Sequence, residues 1–505
     1  MNILSLITLI LAPIAAIFII LSPLVSPKPK RVKAFAFLFG ALHFLYSSAL
    51  LLFFKPDATG FAYTKELTIF GKSWLESMGI SFNFAVDSLA MGLCVLCSFL
   101  FFLSIVTSRN IICSKQKLYY SMMFLLESSI LGIFCSQDMF AFYLFWMLAT
   151  IPSYFLLSLW GKKKERKAAM NYVLYSVLAG FVLLFGILCV YFSTLDTALS
   201  LTGNMHNIDV GNSYYPQWFR YVMFACFLIG FGSRLPIVPF HVWFPKDLEK
   251  AATPVSMIIA GVLLNVGVYG LVRFNLQIFP EIFEYFAPIL IVIGIVNIFY
   301  SAILISRENS IKRIAAYFAV CNSGLILIGL GSLTEIGFGG AAFHMIASGI
   351  VTACLLMCAG SVYLRTKSYD LEKAAGIISK MPNASFFFKL LLICAVCIPG
   401  FVNFPGCFTS ILGIFLSDLN VNLNILATVT ALFGVFMILL KLVDTMKIMF
   451  GETSEESPKT EDLSKSEVFV YSVFVLVMVV LGIAPFLIFN FFDSSMYLIS
   501  SVWQV

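Results

Sequence analysis

Charge is the scarcest thing in this chain. Asp, Glu, Lys and Arg make up 11% of its 505 residues, and there are four histidines. An ordinary soluble domain carries about 25% charged residues. This shortage excludes a water-soluble enzyme and an ordinary nucleic-acid-binding protein, so no nucleic acid is expected among the partners. The net charge of +6 gathers in short clusters between apolar runs and forms no single basic face. Redox motifs are missing too. There is no C-x-x-C-H, no four-cysteine iron–sulfur spacing and no glycine-rich dinucleotide loop on a strand. The chain is therefore expected to hold no cofactor and no metal, and to contribute no catalytic residue of its own. The twelve cysteines do not alter this. Cys94/Cys97 and Cys394/Cys397 match C-x-x-C, but metal sites of that kind come with further Cys or His at set spacings. Small buried hydrophobes are the simpler reading.

What the chain has is apolar length: 60% of its residues are apolar and its mean hydropathy is +0.97. A membrane-crossing helix needs about 20 such residues. Runs at 3–25, 34–54, 84–107, 118–136, 138–160, 168–192, 219–240, 254–276, 286–306, 310–331, 337–362, 384–415, 423–450 and 467–491 meet that demand. They predict an all-α, polytopic membrane protein of about fourteen transmembrane helices. The first run lacks a basic leader and a small-residue cleavage site, so it is read as a retained helix. Lysines and arginines cluster at Lys28–Lys33, Arg109–Lys117, Lys162–Lys167, Arg307–Arg313, Arg365–Lys380 and Lys447–Lys465, always after odd-numbered spans, and 193–218 has none. By the positive-inside rule, both termini lie on the non-cytoplasmic side. The acidic, Ser-rich stretch 451–466 reads as a solvated cytoplasmic loop.

Two spans are punctuated in the middle. Span 7 contains RLPIVPFH (Arg234–His241), and span 12 contains IPGFVNFPG (Ile398–Gly406). Proline removes a backbone donor and clashes with the carbonyl four residues back, so both spans should break there. Backbone freed at membrane depth must be buried in protein or line a wet cavity. The breaks are five spans apart, and an odd offset reverses topology. Helices 4–8 and 9–13 are thus expected to form an inverted repeat, a pattern that points to an ion pathway. The expected organisation is 1–117 for helices 1–3, 118–276 and 286–450 for the two repeats, and 467–505 for the C-terminal helix.

The segment PIVPFHVWFPKDLEKAATPVSMIIAGVLLNVGVYGLVRF (Pro236–Phe274) resembles the signature of the proton-translocating antiporter-like subunits. These comprise NADH-quinone oxidoreductase chain M, its mitochondrial counterpart chain 4, and Mrp-type cation/proton antiporters. Leu125–Trp160, Ile311–Gly324, Gly339–Arg365 and Ile398–Gly413 are similar to further helices of that family, in order. The length and the YGLVRF after span 8 favour chain M. The resemblance implies a half-channel in each repeat, joined at mid-membrane by a row of ionisable residues that electron transfer elsewhere in the complex drives. It also implies lipid and other membrane-arm subunits as partners, above all neighbouring antiporter-like subunits, in a respiratory membrane such as the bacterial inner membrane.

Residue by residue, that row is largely erased. The family glutamate of helix 5 falls on Met147, the helix-7 lysine on Arg234 and the helix-8 lysine on Asn265. The histidines of helices 10 and 11 fall on Asn322 and Ser348, and the helix-12 glutamate on Cys407. Methionine cannot ionise. Asparagine and serine orient hydrogen bonds but hold no mobile charge, arginine is effectively never deprotonated, and a buried apolar thiol stays neutral. The ionisable groups that remain are Glu127, Asp138, His241, His344, Lys389 and Lys441. Glu127 is the best candidate partner for Arg234 or for a cytoplasmic gate residue, Lys389 and Lys441 are expected to snorkel towards an interface, and Asp87 is read as interfacial. The expected function is a chain M-like membrane-arm subunit of a respiratory complex whose own proton channel is impaired. The alternatives are an Mrp-type antiporter subunit or a structural scaffold in a hydrogenase-like complex.

Overall fold

At membrane depth no water is available to bond backbone amides, so a chain this apolar must close its hydrogen bonds inside helices. The computed structural model describes residues 4–22, 29–56, 61–67, 82–112, 114–161, 166–195, 216–376, 378–451 and 461–500. Lys28, Cys113, Lys162 to Lys164 and Lys459 lie outside the described residues, as do most of the loops 55–83 and 193–218 and of the stretch 451–466. In chain order the helices are α1 (Leu4–Leu21), α2 (Pro29–Leu52), α3 (Ser88–Ile111), α4 (Gln116–Cys135), α5 (Met139–Trp160), α6 (Arg166–Leu195), α7 (Gln217–Arg234) and α8 (Trp243–Lys250). Then follow α9 (Thr253–Leu276), α10 (Pro280–Arg307), α11 (Ile311–Gly331), α12 (Glu335–Thr366), α13 (Pro382–Ala395), α14 (Asn403–Phe415), α15 (Val421–Phe450), α16 (Lys465–Ile483) and α17 (Phe486–Ser500). Among the described residues, eleven of these are long and apolar enough to cross a membrane. A short antiparallel hairpin, β1 (Ala62–Leu67) with β2 (Phe82–Val86), lies between α2 and α3 and leaves the all-α class unchanged.

Burial sorts the helices. The most apolar stretches of α9 and α12 are wholly buried, while that of α2 is 28% buried and that of α15 33%. The outer helices present Phe18, Leu45, Phe181, Leu178, Val429 and Leu476 outward. An apolar surface of that extent suits lipid, not water.

Both expected breaks are present. α7 stops at Arg234, and the chain turns through the two prolines into a single 3₁₀ turn, Phe240–Val242, before α8. The second break is shifted. α13 stops at Ala395 and α14 already begins at Asn403, so Pro405 and Gly406 lie inside its first turn. Proline is tolerated there because the first-turn N–H groups have no intrahelical partner anyway. The turn itself is made by Gly400, whose φ of +96° suits a residue without Cβ. The last expected span, 467–491, is not one helix. Pro485 separates α16 from α17, and α17 folds back onto the core, with Phe489 stacked on Phe343 of α12 at 5.0 Å.

Side-chain amides repair the broken backbone. Asn297 of α10 accepts from the Val238 N–H at 2.7 Å and donates to the Pro236 carbonyl at 3.2 Å and to Ser323 Oγ at 3.1 Å. Trp243 Nε1 donates to the Ser233 carbonyl at 3.2 Å. In the second break, Asn403 Nδ2 donates to the Ala395 carbonyl at 2.9 Å. The C-terminal helices are fastened by Arg365 of α12, which grips Glu467 of α16 with Nη1 on Oε1 at 2.9 Å and Nη2 on Oε2 at 2.8 Å. Its Nε and Nη2 also donate to the carbonyls of Glu461 and Asp462. Glu467 is in turn the reciprocal partner of Ser464 in a capping box that starts α16.

Asn297→Leu leaves the Val238 N–H and the Pro236 carbonyl buried without their partner, at about 1–3 kcal/mol for each unmet group. A clear drop in the thermal unfolding temperature of the purified protein is expected. Removing one partner of a buried, hydrogen-bonded ion pair costs about 3 kcal/mol or more. Limited proteolysis should accordingly release the α16–α17 segment earlier in Arg365→Ala than in the native chain.

Candidate functional site

The helix-7 break leaves Arg234 as the last residue of α7, where the partial negative charge of the helix C-terminus favours a cation. The side chain is 3% exposed. Nη2 donates to the Trp146 carbonyl and to Thr150 Oγ1 of α5, both at 3.1 Å. Cζ lies 3.9 Å from the centre of the Trp146 ring, a cation–π contact worth about 2 kcal/mol when desolvated. Nε and Nη1 have no hydrogen-bond partner among the described residues. Ring, carbonyl, hydroxyl and helix end thus hold the guanidinium with no carboxylate in the set. Met147 is half-buried beside Trp146, and its sulfur packs against Gly180 of α6, 2.7 Å from where a Cβ would lie.

Asn265 sits in α9 between two π turns, Ile259–Leu263 and Leu271–Leu276. Such irregular turns inside helices are frequent at functional sites. Nδ2 donates to the Gly261 carbonyl one turn back at 3.1 Å and to the Met345 carbonyl of α12 at 2.9 Å. Ser348 Oγ donates to the same Met345 carbonyl at 3.4 Å. These bonds need close backbones: a Cβ on Gly349 would stand 2.5 Å from the Gly261 carbonyl. One turn before Ser348, the buried His344 points Nε2 at Asn322 Oδ1 of α11, 3.3 Å away. The second break closes on it, because a Cβ at Gly406 would come within 2.9 Å of His344 backbone and Cβ. Cys407 follows, buried. The structure therefore brings Asn265 and Ser348 together on one carbonyl, and Asn322 and His344 together beside the second break.

The other expected ionisable groups separate from these. Glu127 does not reach Arg234; it pairs with His43 of α2 at 2.9 Å, because its face of α4 packs against α1 and α2. Asp138 is the N-cap of α5, accepting from Phe140 N at 2.8 Å and Ala141 N at 2.9 Å. His241 lies in the 3₁₀ turn, edge-on to Tyr300 at 4.7 Å. Lys389 is exposed, with its ammonium 4.8 Å from the Phe450 ring centre, whereas Lys441 is buried and reaches Asp444 at 3.6 Å.

Sequence reasoning missed two buried partners, His43 and Arg273. His43 has no motif around it. Arg273 of α9, inside YGLVRF, forms an ion pair with Asp87 at 2.5 Å, and both side chains are at most 3% exposed. Asp87 is thus a buried cap of α3, accepting from Ala90 N at 2.9 Å, and not merely an interfacial residue. The usable signal was the arginine near the end of an otherwise uncharged helix, which demands a counter-charge. On the cytoplasmic side of the expected topology, Glu249 of α8 meets Arg313 at 3.2 Å, and Lys312 Nζ caps the end of α8 on the Ala251 carbonyl at 2.5 Å.

Comparison with known proteins fits this architecture. Residues 136–434 match the family model described as NADH:quinone oxidoreductase/Mrp antiporter, transmembrane. NAD(P)H-quinone oxidoreductase chain 4 from Trichormus variabilis is 33% identical over 83% of this chain and 78% of its own length. A chain 4 from Synechococcus sp. JA-3-3Ab is 31% identical over 97% of this chain and 92% of its own. A chain of respiratory complex I from Thermus thermophilus superposes with a TM-score of 0.85 at 22% identity, covering 99% of both chains. A chain of the Mrp complex from Dietzia sp. superposes at 0.82 with 17% identity, also covering 99% of both. On these matches the chain belongs to the NADH:quinone oxidoreductase/Mrp antiporter family, as a complex I-type antiporter-like membrane subunit.

Proposed function

We propose that this chain occupies the chain M position, the counterpart of chain 4, in the membrane arm of a respiratory NADH-quinone oxidoreductase, and that its own mid-membrane axis passes no protons. In this reading the broken helices α7 and α13–α14 are equivalent members of two inverted repeats, 118–276 and 286–450. Residues 1–117 and 467–505 flank them, both termini face the non-cytoplasmic side of a bacterial inner membrane, and lipid and neighbouring antiporter-like subunits cover the outer helices. The chain carries no redox centre; electron transfer belongs to the assembly.

The surroundings of Arg234 carry the proposal. A relay group must take up and release a proton when a neighbour changes charge. A guanidinium does not release one, and no carboxylate stands among the groups that hold this one. Onward from it, Asn265 and Ser348 are committed to the Met345 carbonyl. An amide so held can neither ionise nor turn freely to pass a proton. Met147, Arg234, Asn265, Asn322, Ser348 and Cys407 then serve as packing and hydrogen-bonding positions in a subunit that transmits mechanical continuity along the arm. The Mrp-type reading shares the fold, but the chain 4 proteins compared above carry the quinone oxidoreductase name over most of this chain's length.

The test is proton stoichiometry. The complex, reconstituted in vesicles, should pump fewer protons per two electrons than a complex whose equivalent subunit keeps the helix-5 glutamate and the helix-7 and helix-8 lysines. An equal ratio overturns the proposal.

A further inference from the structure

One buried pair of titratable side chains takes no part in that axis. His43 of α2 and Glu127 of α4 meet through Nδ1 and Oε1 at 2.9 Å, and neither residue is more than 3% exposed. The other ring nitrogen, Nε2, stands 3.0 Å from the Leu9 carbonyl of α1. A carbonyl only accepts, so Nε2 bears a hydrogen. The Nδ1–Oε1 contact then requires a second proton, either on the ring, giving imidazolium and carboxylate, or on Glu127, giving neutral imidazole and carboxylic acid. In both forms the pair is neutral overall, which membrane depth tolerates. Losing that proton leaves the pair at −1, and gaining another leaves it at +1. The second carboxyl oxygen, Oε2, has no hydrogen-bond partner among the described residues, a condition less costly for the C=O of an acid than for a carboxylate oxygen.

The surroundings are those of a held, addressable site. Ser128, next to Glu127, donates to the Ile10 carbonyl at 2.7 Å and ties α4 to α1. One turn beyond His43, Tyr46 OH and Thr8 Oγ1 are 2.5 Å apart, and both donate to the Ser5 carbonyl at 2.8 Å. These hydroxyls are half-buried and lead from the pair to the end of the bundle where α1 begins. The titratable groups on the helices packed around the pair are Tyr46 on α2, Cys94 and Cys97 on α3, Lys117, Tyr119, Tyr120 and Cys135 on α4, and Tyr143 and Tyr154 on α5. Within α1 and α5 there is no Asp, Glu, Lys, Arg or His, and the charges of α2 and α3 lie at or just beyond the helix ends, as Lys30, Arg31, Lys33, Asp87 and Arg109.

We propose that His43 and Glu127 together form a proton-holding site within the membrane, whose ligand is a single exchangeable proton shared between imidazole and carboxyl. The site stands apart from the Arg234–Asn265 axis, and its occupancy does not depend on whether that axis conducts.

Infrared difference spectroscopy of the intact complex in lipid, stepped in pH across the range of about 5 to 8 where imidazoles titrate, reads the site directly. The wild type should show a deuterium-sensitive carboxylic acid C=O band that Glu127→Gln loses. His43→Asn should keep the band and move its midpoint by about one pH unit or more. Pair and band stand or fall together: difference spectra identical in all three proteins overturn the site. If the Gln variant does not assemble, an unmoved midpoint in His43→Asn overturns it alone. The readout is independent of pumped protons, so a normal pumping ratio would count against the axis proposal and leave this one standing.

Discussion

Every backbone amide at membrane depth must find a partner inside the protein, and the two interrupted helices show what that demand does to the rest of the molecule. Breaking α7 frees backbone groups at Pro236 and Val238, and breaking α13–α14 frees the Ala395 carbonyl. Asn297 and Asn403 are placed to meet them. The repair of the first break crosses from α10, so the first broken helix is bonded to a helix beyond it in the chain and not only to its own neighbours. The breaks also set the site. They end α7 at Arg234, and they let Gly406 close against His344.

Charge follows the same logic. Burying an ion is tolerable when a partner of opposite sign and further hydrogen bonds surround it. Asp87 has Arg273, Glu467 has Arg365, and Glu127 has His43. Arg234 is held instead by an aromatic face, a carbonyl and a hydroxyl. A permanent cation in such surroundings fits the structural role proposed for it. The amides of Asn265 and Asn322 extend this set of neutral groups from α9 to α11.

Much of this was legible from residues alone. Apolar runs located the helices because membrane crossing needs a continuous stretch of fixed length. Proline located both breaks because its geometry is local. The errors were also local in origin. The expected break ran from Ile398 to Gly406, but Pro405 fits the first turn of α14, and Pro485, at the end of an apolar run, was read through. The partner of Glu127 was not legible. Arg234 was the cation missing a carboxylate, whereas His43 lies 84 positions away with no motif to mark it.

Composition and apolar run length, then, were enough to establish an all-helical membrane protein with two interrupted helices, since burial in lipid and proline sterics act on each segment separately; the depleted row of charges came from the resemblance to the antiporter-like subunits. Which face of each helix meets which neighbour depends on packing between segments distant in the chain. That packing assigned Glu127 to His43, Asp87 to Arg273 and Asn265 to the Met345 carbonyl, and it left Arg234 resting on Trp146.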